Sequence, residues 1–209
     1  LLNYFKPKFM LGLTATPERT DQADILSLCD NNLVFSYGMF EGITADVLCP
    51  FDYRGVADNV DYSEITWRNN KFDPHQLENK LATISRAKHN LKTWKKLKQK
   101  RTLAFCISTK HADFMANYFT QHGVKALSVH SKAKTPRHVA LRHLDAGIVD
   151  IIFSVDLFNE GVDLPSIDTV MMLRPTESKI VFLQQLGRGL RKSNEKQKLI
   201  ILDFIGNHI

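Results

Sequence analysis

The sequence predicts an α/β fold: a doubly wound, mainly parallel sheet with helices on both faces, running from about residue 45 to the end of the 209-residue chain. Two observations predict it. Short runs that are apolar throughout, such as Ile151-Ile152-Phe153 and Val170-Met171-Met172-Leu173, suit strands covered on both faces. These runs alternate with helical patterns that close on glycine, at Gly123 and Gly147.

Residues 9–13 are an apolar run that stops at Thr14-Ala15-Thr16-Pro17. They read as a buried strand and a turn, because Pro17 has no ladder donor and restricts Thr16. Residues 21–29 read as a short helix behind Asp21. Residues 33–37 and 45–53 read as strands, and 54–71 as a polar connector. Leu77, Leu81, Ile84, Leu91, Trp94 and Leu97 recur at helical spacing. Residues 74–100 therefore read as one long amphipathic helix, entered at Asp73-Pro74. Beyond it, 102–107, 124–129, 150–155, 169–173 and 199–204 read as strands. Residues 110–122, 136–144 and 178–186 read as the helices between them.

Ligands of such a sheet bind outside the carboxyl ends of its strands. Four loops meet that edge: 108–110, 130–134, 156–165 and 174–178. Three of them set hydroxyls beside cations, which suits phosphate.

Composition bounds the function. A hydrophobic share of 44% supports an ordinary packed core. The net charge of +6 favours a polyanionic partner, of which nucleic acid is the commonest. Cys29, Cys49 and Cys106 are scattered, with no C-x-x-C, and read as free thiols in a reducing compartment. The histidines have no ligand spacing, so no metal site is expected. No signal peptide and no apolar run of membrane-spanning length is present, and the expected location is the cytoplasm, with no membrane partner. The chain opens Leu-Leu-Asn without methionine, and reads as a piece of a longer protein. The absence of G-x-G-x-x-G after a first strand argues against a dinucleotide enzyme. Lys92, Lys95, Lys96, Lys98, Lys100 and Arg101 read as a solvated helix end, whose cations favour the dipole there.

Three segments carry chemistry. The strongest is Gln184-Gln185-Leu186-Gly187-Arg188-Gly189-Leu190-Arg191. If the helix before it continues, Arg188 and Arg191 share a face and reach one phosphate group. Two such forks stabilise charge that grows on a transferring phosphoryl group. The second, from Ser154 to Pro165, holds Asp156, Glu160 and Asp163 just past a buried strand. By itself it reads equally as a solvated acidic loop, since its spacing does not match a calcium site. The third, Thr14-Ala15-Thr16, sets two hydroxyls at a strand end and by itself is an ordinary turn.

Taken together, in order and spacing, these segments resemble the motifs of superfamily 2 helicases. Thr14-Ala15-Thr16 resembles motif III, residues 102–118 motif IV, 154–165 motif V and 184–191 motif VI. The run from Leu173 to Ser178, with Phe182 to Arg188, looks closest to restriction-type helicases of the DEAD/DEAH-box-related group. The resemblance implies a RecA-like fold, with the tail of a first RecA-like domain over residues 1–35, including motif III, and a second domain over 36–209. It implies ATP and Mg²⁺ bound mainly by the first domain of the same chain, and nucleic acid as partner, DNA in preference to RNA.

The site residues follow from the same resemblance. Arg191 takes the arginine-finger position, Arg188 also faces the phosphates, and Gln184 contacts the nucleotide or its attacking water. Gly161 and Asp163 contact the nucleotide's ribose and couple it to nucleic acid, and Thr14 and Thr16 take a coupling role. Ser154, where many relatives carry threonine, contacts a nucleic-acid phosphate. Ser108, Thr109, Ser131 and Lys132 grip the strand backbone by loop position. Two features depart from the family. No G-x-x-x-x-G-K-[ST] phosphate loop and no Asp-Glu pair are present. The implied function is the C-terminal motor domain of an ATP-dependent, cytoplasmic and bacterial helicase or translocase. This chain by itself is expected to be inactive. The alternative is a catalytically inert, helicase-derived nucleic-acid-binding or scaffold module.

Overall fold

A computed structural model describes residues 4, 8–14, 26–57, 65–68, 71–155, 166–175, 186–187 and 189–204. The strands are β1 (Phe51–Gly55), β2 (Trp67–Arg68), β3 (Lys71–Phe72), β4 (Thr102–Phe105), β5 (Ala126–Val129), β6 (Ile151–Ser154), β7 (Thr169–Met172) and β8 (Leu199–Asp203). The helices are α1 (Met39–Thr44), α2 (Pro74–Leu81), α3 (Ile84–Leu97), α4 (Thr109–Gln121) and α5 (Arg137–Asp145). Six strands form one sheet in the order β1-β8-β7-β4-β6-β5, and every pairing is parallel. The short strands β2 and β3 pair antiparallel outside it.

The strand period of two builds the core. Every residue of β4, β6 and β7 is buried. Leu103, Phe105, Ile152, Val170, Met172 and Ile201 face one side, with Ala140 and Leu144 of α5 and with Leu186 and Leu190. Ala104, Ile151, Phe153, Met171 and Leu202 face the other, with Ala87, Leu91 and Trp94 of α3 and with Met115 and Phe119 of α4. Trp94 anchors that second layer. Its Nε1 donates to Thr102 Oγ1 at 2.9 Å, and its ring lies 5.4 Å from Phe119. Burying an aromatic side chain of this kind contributes about 1.5–3 kcal/mol.

Connections at the amino end of the sheet are pinned by Asp168. Its carboxylate accepts from the main-chain N–H of Lys100 and Arg101, at 3.0 and 2.9 Å. These bonds register the chain that enters β4 against β7. Gly123 (φ 79°) and Gly147 (φ 70°) follow α4 and α5 in the left-handed conformation, as their sequence positions predict.

The expected single helix over 74–100 is two helices. Asp73 caps the first by accepting from His75 N and Gln76 N. Thr83 caps the second by accepting from Arg86 N at 3.4 Å. The break has a packing cause. Leu77 and Leu81 join Ile65 in a small separate cluster, while Ala87, Leu91 and Trp94 join the main sheet. One straight apolar stripe would not serve both.

Other expectations change upstream. Residues 9–13 do not form a strand, and Phe9 and Leu13 are 79% and 88% exposed. Residues 33–37 likewise form no strand, with Leu33, Val34, Phe35 and Tyr37 exposed. Both runs have strand composition but no sheet neighbour among the described residues. Of the expected helix over 21–29, only the 3₁₀ turn Leu26–Cys29 is described. The strand expected over 45–53 starts at Phe51, because Asp46 (φ 60°) turns the chain first. No helix among the described residues is long and apolar enough to cross a membrane.

Beneath the carboxyl edge, α3 and α4 enclose three polar side chains. Arg86, Asn90 and His111 are all buried. The Asn90 amide and both His111 ring nitrogens have no hydrogen-bond partner among the described residues. Burial, then the charge of Arg86, pushes the His111 imidazole down to about 3. The folded protein therefore keeps His111 neutral where an unfolded chain takes up a proton. The unfolded state binds the extra proton between about pH 6.5 and 3, so this residue removes stability as pH falls through that window. Replacing His111 with Asn should flatten the acid side of a pH–stability curve measured by urea unfolding. The slope lost should be up to about 1.4 kcal/mol per pH unit between pH 6 and 4. An unchanged slope would mean that His111 gains a proton in the folded protein.

Candidate nucleic-acid and nucleotide sites

The sheet order reverses at β4, which lies between β7 and β6. The crevice of such a sheet opens at the carboxyl end of that strand. After β4, Ser108 caps α4: its Oγ accepts from His111 N at 3.0 Å. Ser108 and Thr109 are half-buried at the start of this 13-residue helix. The first turn thus presents main-chain N–H groups and a positive dipole end beside two hydroxyls. Lys110, exposed, stands next to them and pairs with Glu78 at 3.5 Å.

After β5, the chain makes a turn in which Ala133 N donates to His130 O at 3.0 Å. Ser131 and Lys132 are exposed at its tip. The His130 ring fixes the turn from below. Its Nδ1 accepts from Lys132 N at 3.2 Å, so Nε2 carries the proton and donates to Asp113 Oδ1 at 3.0 Å. Ser128 donates to the same carboxylate oxygen. Partial burial pushes Asp113 upward, but the Ser128 and His130 hydrogen bonds outweigh it and hold the carboxyl below its ordinary range.

After β6 the expected phosphate contact, Ser154, closes the strand. Ser154 is wholly buried, aligned with Phe105 and Val129 on either side, and its Oγ has no hydrogen-bond partner among the described residues. Its hydroxyl lies within the end of the sheet rather than in solvent. A buried hydroxyl without a partner costs about 1–3 kcal/mol. Gly161 and Asp163, expected beyond it, lie outside the described residues, as do Gln184, Arg188 and Thr16. Thr14 is exposed in the upstream segment.

Ser108, Thr109, Ser131, Lys132 and Ser154 therefore meet at one edge, on three neighbouring strands. Arg191 does not join them. The backbone is helical at Leu186, Gly187, Gly189 and Leu190, and Arg191 then forms an antiparallel bridge with Leu48. The helical conformation thus ends before Arg191. Cys49 N donates to Leu190 O at 2.8 Å, and Cys49 precedes β1. The strands are parallel, so Arg191 sits at the amino end of the sheet, across from the loops of α4 and His130. Leu186 and Leu190 pack on the α5 face. Gly189 lies so close to the sheet that a Cβ there would come within 2.5 Å of Leu199 Cδ1. The glycine admits the close approach.

Two features of this geometry had no local sequence signal. Asp113 and His130 are 17 residues apart and meet only through the packing of α4 on β5. Lys196 lies in a polar stretch that resembles a solvated turn, yet it is 8% exposed and donates to Ile167 O and Gly189 O. Among the described residues, no group of three or more His, Cys, Asp or Glu side chains could hold a metal ion.

The model of the helicase conserved C-terminal domain matches residues 80–193, just over half of the chain. Over 202 residues the chain is 30% identical to Saccharomyces cerevisiae IRC3, a protein named as an ATP-dependent helicase, covering 94% of this chain and 29% of that protein. A structure named as an HsdR-subunit fragment of a type I restriction enzyme from Vibrio vulnificus superposes with a TM-score of 0.78 at 27% identity, covering 98% of this chain and 41% of the other. The type ISP restriction-modification enzyme LlaBIII superposes with a TM-score of 0.54 at 16% identity over 82% of this chain and 13% of its own, a likeness of fold alone. The chain thus spans well under half the length of these relatives. With its parallel sheet, RecA-like layering and matched family model, the chain belongs to the helicase C-terminal domains of superfamily 2, and it is similar in structure to the HsdR-subunit fragment.

Proposed function

We propose that the chain is the second motor lobe of an ATP-dependent nucleic-acid helicase or translocase. Its carboxyl edge grips the strand backbone, and Arg191 serves as an arginine finger for ATP held by a first lobe. The observation that carries this reading is a pair of phosphate-suited loops at one edge of the sheet. The helix terminus with Ser108 and Thr109 follows β4 and the Ser131-Lys132 turn follows β5, with β6 and the buried Ser154 at its end between them. Main-chain N–H groups, hydroxyls and a lysine in such loops suit a sugar–phosphate backbone and carry little base selectivity.

Residues 1–35 belong, in this reading, to the first lobe and 36–209 to the second. The exposed Phe9, Leu11, Leu13, Leu33, Val34 and Phe35 support it, because strand-like apolar residues need a sheet to pack on. The first lobe supplies the phosphate loop, the acidic pair and Mg²⁺. The described residues offer no metal cluster of their own. DNA is preferred over RNA because of the likeness to a structure named as part of a type I restriction enzyme. In this reading nucleic acid lies along the carboxyl edge, and the nucleotide is met by Gln184, Arg188 and Arg191 together with Gly161 and Asp163, which follow β6 in the sequence.

Two measurements test it. In the full-length protein, Arg191→Ala should lower ATP turnover by about 10³–10⁵ while the affinity for a single-stranded oligonucleotide stays within about twofold. The 209-residue chain alone should show no turnover above background. Unchanged turnover in the full-length variant would put the finger elsewhere. Lys132→Ala should weaken oligonucleotide binding about equally for different sequences. It should also reduce the slope of log affinity against log salt by about 1. An unaltered slope would remove Lys132 from the backbone contact.

A further inference from the structure

The segment that ends in Arg191 is gripped by residues with no assigned role. Lys196 Nζ donates to Gly189 O at 2.9 Å and to Ile167 O at 3.0 Å. The main chain folds back to allow this, through Lys196 N donating to Ser193 O at 3.0 Å. On the other side, Cys49 Sγ lies 3.5 Å from the same Gly189 carbonyl, and Cys49 N donates to Leu190 O. Leu48 bridges Arg191. Lys192 Nζ donates to Asp46 O at 3.0 Å and also pairs with the Asp46 carboxylate. Every residue from Gly189 to Lys192 is therefore tied to Lys196 or to residues 46–49.

Lys196 is an expensive way to make such a tie. Burial disfavours its charge and pushes the ammonium below the ordinary lysine range, against smaller contributions from Cys49 and Asp168. A methionine of similar length would fill the same space without that cost. What the ammonium provides is two directed hydrogen bonds. One goes to a carbonyl near the end of the helical segment, the other to the carbonyl just before β7. Carbonyls at a helix end lack intrahelical partners, and a cation there satisfies them.

We propose that Lys196 and residues 46–49 form a positioning clamp that sets the reach of Arg191 toward the nucleotide. This rests on the arginine-finger reading above. Residues 46–49 follow closely on the segment assigned to the first lobe. Movement between lobes is therefore transmitted to Arg191 through the Leu48 bridge and the Lys192–Asp46 pair. The clamp acts on the reacting phosphate only through Arg191, so Lys196 and Lys192 are positioning residues.

The test uses the full-length protein and steady-state ATP turnover with saturating single-stranded oligonucleotide. Lys196→Met should lower kcat about tenfold or more while KM for ATP moves by less than about threefold. A role confined to stability would lower Tm and leave kcat of the folded fraction unchanged. The Lys196→Met, Arg191→Ala double variant should turn over at the rate of Arg191→Ala alone, because the two act in series. Lys192→Ala, an exposed change that leaves the core intact, should lower kcat about threefold with Tm unmoved. It decides the matter if Lys196→Met does not fold. Wild-type kcat in a folded Lys196→Met or in Lys192→Ala, or effects of Lys196→Met and Arg191→Ala that multiply, would overturn the clamp. If Arg191→Ala alone leaves turnover intact, the arginine-finger reading fails instead.

Discussion

The burial of the central strands on both faces is the constraint on which the rest depends. Each residue of β4, β6 and β7 is out of solvent, and the sequence supplies apolar side chains to both sides except at Thr102, Ser154 and Thr169, which stand at strand ends. The strands' main-chain groups are satisfied within the ladder, and both faces are covered by helices. No reactive side chain can stand on either face of the sheet without opening one of these layers. Chemistry is confined to the two ends of the strands, and the chain has chosen different residue types for each end. Hydroxyls and a helix start cluster at the carboxyl end. Cations and carbonyl ties cluster at the amino end.

That separation bears on how a motor lobe couples two ligands. The chain leaves β7 at Arg174 on the carboxyl side and returns at Leu190 and Arg191 on the amino side, beside the chain that enters β1. One covalent segment therefore reaches from the edge proposed for nucleic acid to the residue proposed for nucleotide. Beneath the first edge lie polar groups without a hydrogen-bond partner among the described residues: the Ser154 hydroxyl, the Asn90 amide and the His111 ring. The amino end shows the opposite design. There the carbonyls near the end of the helical segment are satisfied by Lys196 and Cys49, and the geometry is fixed.

Much of the fold was legible because the regular half of the chain obeys simple periodicities. From Thr102 to Asp203 the expected strands agree with the observed ones to within two residues, since continuous apolar runs have no other good use in a chain of this size. Gly123 and Gly147 were legible for a local reason, the left-handed backbone after a helix. The break at Thr83 was not, because Leu81 and Ile84 keep the helical spacing across it and only the existence of two separate cores requires the turn. The residue types at the carboxyl edge were legible from loop position. The burial of Ser154 was not, because it depends on how strand ends align with Phe105 and Val129. The place of Arg191 turned on a bridge to Leu48, 143 residues away by number, and Lys196 on a fold-back that no local pattern announces.

The upstream segment extends this argument. Residues 9–13 and 33–37 have the composition of interior strands, and here they lie in solvent. Leaving large side chains such as Phe9, Leu13, Val34 and Phe35 exposed forgoes about 1.5–3 kcal/mol apiece relative to burial. An independent domain has little reason to keep two such runs, and a second sheet that takes them up recovers the loss. The chain between them and β1 is the same chain that Lys192 and Leu190 hold. In the proposed two-lobe reading, a segment whose one end is pulled into a neighbouring sheet and whose other end is bonded to Arg191 cannot move at the first without loading the second. Cooperation between the proposed lobes would then need no separate signal: it would follow from which residues the connecting chain is bonded to.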